Sequence, residues 1–268
     1  MIIGLACLAG CGGSIKLTIP EKFKEQATME HVNGAKGKKM SCAHFTTSKI
    51  KRGMRESSSD PGRDFFLENV LLNRLGVRKD ETVTEEKGRF RYTLDAGENH
   101  AEIQAEERQL TVGLEYQAFK SASLFNKVGK LEQYTYLFSA IIATDEAPES
   151  RNWELLMTNY YDRNAGNDKN SFTYFKQGAY GLATNGKDTI IIKPLIINNT
   201  VTANGKTAQI PFKILSGYEL SIDEGVIAIV DMIGQNIWFY NELEPTDKLH
   251  VSAIATALFA RRVHDEKW

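Results

Sequence analysis

Cysteine is nearly absent from this chain. Three occur in 268 residues, Cys7, Cys11 and Cys42, which excludes a scaffold stapled by disulfides. Long apolar runs are missing too. No stretch approaches the ~20 residues that a membrane-spanning helix needs. An excess of charge of either sign is lacking: 33 Lys and Arg stand against 34 Asp and Glu. That balance argues against a general nucleic-acid binder. Catalytic and cofactor signatures are also wanting. There is no Gly-x-Ser-x-Gly elbow, no phosphate-binding loop, no dinucleotide fingerprint and no His-Glu-x-x-His. No tandem repeat or low-complexity tract occurs, and no cofactor is expected.

What is present begins at the N-terminus. Residues 1–13 are apolar and uncharged, and they include Leu8-Ala9-Gly10-Cys11 followed by Gly12-Gly13-Ser14. Small residues before a Cys suit a signal-peptidase cleft, and Leu8 closes an apolar run. The tetrapeptide resembles the lipobox of bacterial lipoproteins. The resemblance covers the first 11 residues only and names no family for the rest of the chain. It implies cleavage before Cys11, a diacylglyceryl group on the Cys11 thiol and a soluble body tied to a membrane. No Asp follows Cys11, which implies the outer membrane where the organism has one. Of the cysteines, Cys42 alone then remains in the body, expected to be buried and inert.

Charge is unevenly placed. Residues 31–55 hold seven bases and no acid: Lys36, Lys38, Lys39, Lys49, Lys51, Arg52 and Arg55. Residues 80–107 hold nine acids against three bases. The basic block, with Lys49, Lys51 and Arg52 at its centre, suits anionic lipid headgroups or an acidic protein partner. The alternative is that the two blocks pack together and neutralise each other.

From about residue 88 the hydropathy alternates with a period of two. Phe90, Tyr92 and Leu94 alternate with polar neighbours, Asp95–Asn99 reads as a hairpin loop, and Ala101, Ile103 and Ala105 resume. Strands are also expected over 110–116, 133–143, 153–161, 171–183, 188–197, 207–215, 226–233 and 236–241, and an edge strand over 43–53. A helix is expected over 64–75, between Asp60-Pro61 and Gly76. Val226–Val230 is an unbroken apolar run, which implies burial on both faces. Its cover is expected from a helix over 246–262 that presents Val251, Ile254, Ala255, Leu258 and Phe259. The expected fold is mainly β: a sandwich or open barrel of nine or more strands, with one helix near residues 64–75 and a buried C-terminal helix. The expected organisation is a signal at 1–10, a linker and basic segment at 11–58 and a single β-rich domain at 59–268.

Candidate chemistry is sparse. Glu98, His100 and Glu102 would share one face of a strand and offer a metal three ligands, but a solvated hairpin face explains them better, so no metal is expected. The pairs Glu85-Glu86, Glu106-Glu107 and Asp223-Glu224 include carboxylates that a glycosidase needs only if folding sets two across a cleft. The function expected is a membrane-anchored lipoprotein with a non-catalytic binding or envelope-structural role. The alternative is an envelope hydrolase acting on glycans or lipids.

Overall fold

The computed structural model describes residues 17, 19–61, 77–118, 127–145, 152–162, 179–201 and 207–262. The proposed signal with Cys11, and the helix expected at 64–75, lie outside the described residues. After a four-residue helix α1 (Glu21–Lys24), thirteen strands follow: β1 (Ala27–His31), β2 (Thr46–Thr47), β3 (Lys51–Arg52), β4 (Glu56–Pro61), β5 (Val77–Ala96), β6 (Asn99–Ala118), β7 (Lys127–Thr144), β8 (Trp153–Asp162), β9 (Tyr180–Thr184), β10 (Thr189–Val201), β11 (Thr207–Ile222), β12 (Gly225–Asp231) and β13 (Asn236–Tyr240). Helix α2 (Pro245–Ala260) closes the described chain.

All thirteen strands belong to one antiparallel sheet. Its order is β1-β13-β12-β11-β10-β9-β8-β7-β6-β5-β2, with β3 and β4 also on β5. From β5 to β13 each strand pairs with its sequence neighbour, so short connections set the topology. The β5–β6 turn fits this economy: Gly97, at φ 65°, takes the left-handed conformation that the tight turn requires. Among the described residues no ladder closes the sheet into a barrel, but two single-residue bridges bring its edges together. Ser41 bridges both Asn33, beyond β1, and Thr46 of β2.

The expected alternation appears as an inner face. Phe90, Tyr92 and Leu94, then Ala101 and Ile103, then Tyr136, Phe138 and Ile142, then Leu155 and Met157, all turn inward and are buried. They surround α2. Tyr92 of β5 donates to Thr256 Oγ1 at 2.8 Å, Trp153 of β8 lies 5.0 Å from the His250 ring, and Arg261 donates to the Tyr218 hydroxyl of β11 at 3.0 Å. Strands this far apart in the sheet touch one helix only because the sheet curls around it. The helix was expected to cover the β12–β13 hairpin with one face. Instead every residue from Leu249 to Ala260 is buried. Ala253, Ala255, Ala257 and Ala260 let strands approach on all sides. The buried hydroxyls of Ser252 and Thr256 are satisfied by helix carbonyls one turn back.

The β12–β13 hairpin is buried on both faces, as its unbroken run implied, with a different cover on each. Ala228, Val230, Ile237 and Phe239 belong to the core around α2. Ile229 faces outward and packs with Ile19 and Phe23, beside Leu17, Trp238 and Tyr240. The segment leading into β1 is this second cover. Of the stretch expected to be a linker and basic segment, 11–58, the described residues from 19 on enter the fold. β1 pairs with β13, and Val32, Ala35, Met40, Phe45 and Ile50 join the main core. The dense Lys and Gly of this stretch masked one apolar residue every few positions. The edge strand expected over 43–53 is broken into β2 and β3.

Candidate functional site

A polar cluster sits where the two edges of the sheet meet the N-terminal half of α2. Glu30 lies opposite Ile237 on β1, so its side chain follows Ile237 to the inner face. Cys42 and His44 lie two residues apart on the chain between the Ser41 bridge and β2. Lys248 and Ser252 are one helical turn apart on α2, hence on one face. His44 is wedged edge-on between Phe45 and Phe239, with ring centroids 5.2 and 4.8 Å away.

The contacts form a chain. His44 Nδ1 is 2.6 Å from Glu30 Oε2, and His44 Nε2 is 2.8 Å from Ser252 Oγ. Ser252 Oγ donates to the Lys248 carbonyl at 2.6 Å. Lys248 Nζ donates to the other carboxylate oxygen, Glu30 Oε1, at 2.9 Å. Cys42 Sγ is 3.4 Å from His44 Nδ1. Burial works to raise the Glu30 pKa, but hydrogen bonds from Lys248 and His44 outweigh it and hold the carboxyl down at about 2. Burial pushes the Cys42 thiol up to about 12, and Glu30 beside it works in the same direction. Burial also lowers the His44 pKa, against the pull of Glu30.

Acid, imidazole and hydroxyl are thus joined in the order used by nucleophilic hydroxyl relays. The relay has no usable nucleophile in this conformation. Ser252 is fully buried within α2, and its single hydrogen goes to the Lys248 carbonyl. The Cys42 thiol, held protonated, is no substitute. What the cluster does is join β1, the 40–47 segment and α2 through one set of polar contacts.

Glu98, His100 and Glu102 do not assemble into a site. His100 Nδ1 pairs with Asp95 across the hairpin at 2.6 Å, and Glu102 accepts from Gln104. Ala101 and Ile103 between them are fully buried. The acid pairs are divided too. Glu85 meets Arg108 and Lys87, Glu86 meets Arg55, and Glu106 meets Arg89. Glu107 turns inward and accepts the backbone N–H of Arg262 at 3.1 and 3.2 Å, completing the C-terminal end of α2.

The basic block is split. Lys36, Lys38, Lys39, Lys49 and Lys51 are exposed, whereas the Arg52 guanidinium lies over the Phe90 ring at 5.3 Å. Arg55 pairs with Glu86 at 2.7 Å. Among the described residues, Glu85 and Glu106 take bases from β5 and β6 themselves, whereas Glu86 takes Arg55 from the basic block and Glu107 acts on Arg52. On the outer face of the sheet, Leu156, Leu182 and Ile191 are exposed and lie directly opposite one another across β8, β9 and β10.

The polar cluster escaped sequence reasoning because its members come from residues 30, 42–44 and 248–252. The one local signal was Cys42-Ala43-His44, two ligand types at a spacing that shares a face of an extended chain. No protein-family model, curated protein or solved structure matches the chain.

Proposed function

We propose that this chain is a lipid-anchored protein of the bacterial cell envelope, held by Cys11, whose β body has a non-catalytic binding or structural role. The observation that carries the reading is Leu8-Ala9-Gly10-Cys11, a lipobox-like sequence. The outer membrane is the proposed location where the organism has one. A non-catalytic role is supported by the sealed Ser252 hydroxyl and the protonated Cys42 thiol. A binding role is supported by the exposed row Leu156, Leu182 and Ile191, because apolar side chains grouped on a surface mark contact sites more often than scattered ones do.

The test is metabolic labelling. Expressed at full length in a bacterial host, the protein should incorporate labelled palmitate and partition into detergent, and Cys11→Ala should lose both. Labelling that survives in that variant refutes the anchor.

One observation favours the hydrolase reading, the Glu30–His44–Ser252 relay. It requires α2 or the 40–47 segment to move and expose Ser252. A fluorophosphonate probe should leave the protein unlabelled. Labelling lost in Ser252→Ala would establish the hydrolase reading instead.

A further inference from the structure

We propose that Glu30, Cys42 and His44 form a binding site for a divalent cation of the zinc class, through Glu30 Oε2, Cys42 Sγ and His44 Nδ1. The three donor atoms lie within 4.8 Å of one another. A tetrahedral zinc ion with typical bond lengths holds a sulfur and a nitrogen ligand ~3.5 Å apart and a nitrogen and an oxygen ligand ~3.3 Å apart. Cys42 Sγ and His44 Nδ1 are already 3.4 Å apart. Glu30 Oε2 must withdraw from its 2.6 Å contact with Nδ1 by less than an ångström, within reach of small side-chain rotations.

The hydrogen-bond pattern selects the ligating nitrogen. A carbonyl oxygen only accepts, so at 2.6 Å the Ser252 hydrogen points to the Lys248 carbonyl. Ser252 Oγ must then accept at its other contact, which requires a hydrogen on His44 Nε2. Nδ1 is left facing a carboxylate oxygen and a sulfur. The protonated thiol donates to the carboxylate, but Nδ1 and Glu30 Oε2 at 2.6 Å are reconciled by a hydrogen on Nδ1 or by a metal ion among the three groups.

The surroundings have the form of a metal site's outer shell. A ligating His ordinarily donates its other ring N–H to a fixed acceptor, as His44 does to Ser252. A ligating carboxylate is ordinarily hydrogen-bonded on its free oxygen, as Glu30 is by Lys248 Nζ on Oε1 at 2.9 Å. The ligands sit on a paired strand and a bridged segment, which limits their movement. Cys42 and His44 are only half-buried, leaving a fourth position for water. A thiolate, an imidazole and one carboxylate suit zinc, cobalt or copper and not magnesium or calcium. On binding, the Cys42 S–H bond and the His44 Nδ1–H bond both break, and the two protons leave to solvent. The dication then faces two anionic ligands and the neutral imidazole, and Lys248 stays on the outer carboxylate oxygen.

Cobalt(II) is the probe, because its bond to a thiolate gives a charge-transfer absorption in the near ultraviolet. The full-length chain, in detergent and freed of metal and oxidised thiols, should take up one cobalt per chain with that band, and zinc should displace it. Cys42→Ser should abolish the band. Glu30→Gln should weaken binding at least tenfold, and Ser252→Ala, which frees the imidazole to rotate, by ~10-fold. Zinc should raise the thermal midpoint of the parent chain but not that of Cys42→Ser, which changes one atom and retains the fold. Magnesium should do neither. Absence of a stoichiometric cobalt complex overturns the proposal. So does a band that persists in Cys42→Ser, since it then belongs to Cys7 or Cys11.

Discussion

Truncating Leu258 to alanine tests whether α2 is the core of the molecule. Leu258 lies in the last turn and a half of the helix and is fully buried, with strands on every side of its helix. The substitution removes three carbon atoms. Their transfer to water is worth about 2–2.5 kcal/mol at ~0.8 kcal/mol per buried methylene. The cavity adds to this in proportion to how little the surroundings relax, and the observed range for such changes is about 2–5 kcal/mol. Here relaxation is limited, because a curled, hydrogen-bonded sheet cannot close on a void as a loop can. The expected loss is therefore in the upper part of that range, about 3–5 kcal/mol. In a chain of this size that corresponds to a midpoint on the order of 10 °C lower. Urea and thermal denaturation followed by near-ultraviolet circular dichroism, which reports packing of the aromatics around α2, measure it. Leu137→Ala, on the outer face of β7 and exposed, is the control and should cost under ~1 kcal/mol. Equal small losses in both variants would refute the placement of α2 inside the curled sheet. So would a chain lacking residues 246–268 that keeps the parent midpoint.

Other outcomes follow from separate parts of the fold. Phe23→Ala should destabilise the protein by about 2–4 kcal/mol and raise the fluorescence exposure of Trp238, because Phe23 belongs to the cluster over the outer face of β12 and β13; an unchanged Trp signal would contradict that cover. The Glu30 carboxyl stays ionised in the folded chain down to about 2 but protonates at its ordinary 4.5 when unfolded. On acidification the unfolded state takes the proton first. The stability Glu30 contributes is present above about pH 4.5 and lost as pH falls toward 2. Because His44 and Lys248 are partly open to solvent, that contribution is about 1–2 kcal/mol, and Glu30→Gln should flatten the pH dependence of stability in this window. In a Cys11→Ala chain, which lacks the proposed anchor, the paired change Lys49→Ser with Lys51→Ser should abolish binding to anionic vesicles with little loss of stability, since both side chains are exposed. Arg52→Ser should instead lower stability, since it uncovers Phe90. Vesicle binding unaffected by the paired change would remove the basic block as a membrane-facing surface.

Local pattern was sufficient where one face of a strand meets one environment. The alternation of Phe90, Tyr92 and Leu94 and of Ala101 and Ile103, the hairpin turn at Gly97 and the apolar run 226–230 all carry their structural meaning within a few residues. The side-chain period of a strand equals its burial period. The sequence also determined that the run at 226–230 needed a cover and that a helix lies over 246–262, which the structure places at Pro245–Ala260. It could not determine that the helix would be buried all round, because that depends on how far a thirteen-stranded sheet curls, which is a sum of twists over strands distant in the chain. Nor did it show that residues 19–50 belong to the fold, since their apolar side chains are spaced singly among lysines and glycines and have no period of their own. The Glu30, Cys42, His44, Lys248 and Ser252 cluster was decided wholly by tertiary structure. Its members lie on β1, a bridged loop and a helix 208 residues beyond His44, and only the meeting of the two sheet edges over the start of α2 makes them neighbours.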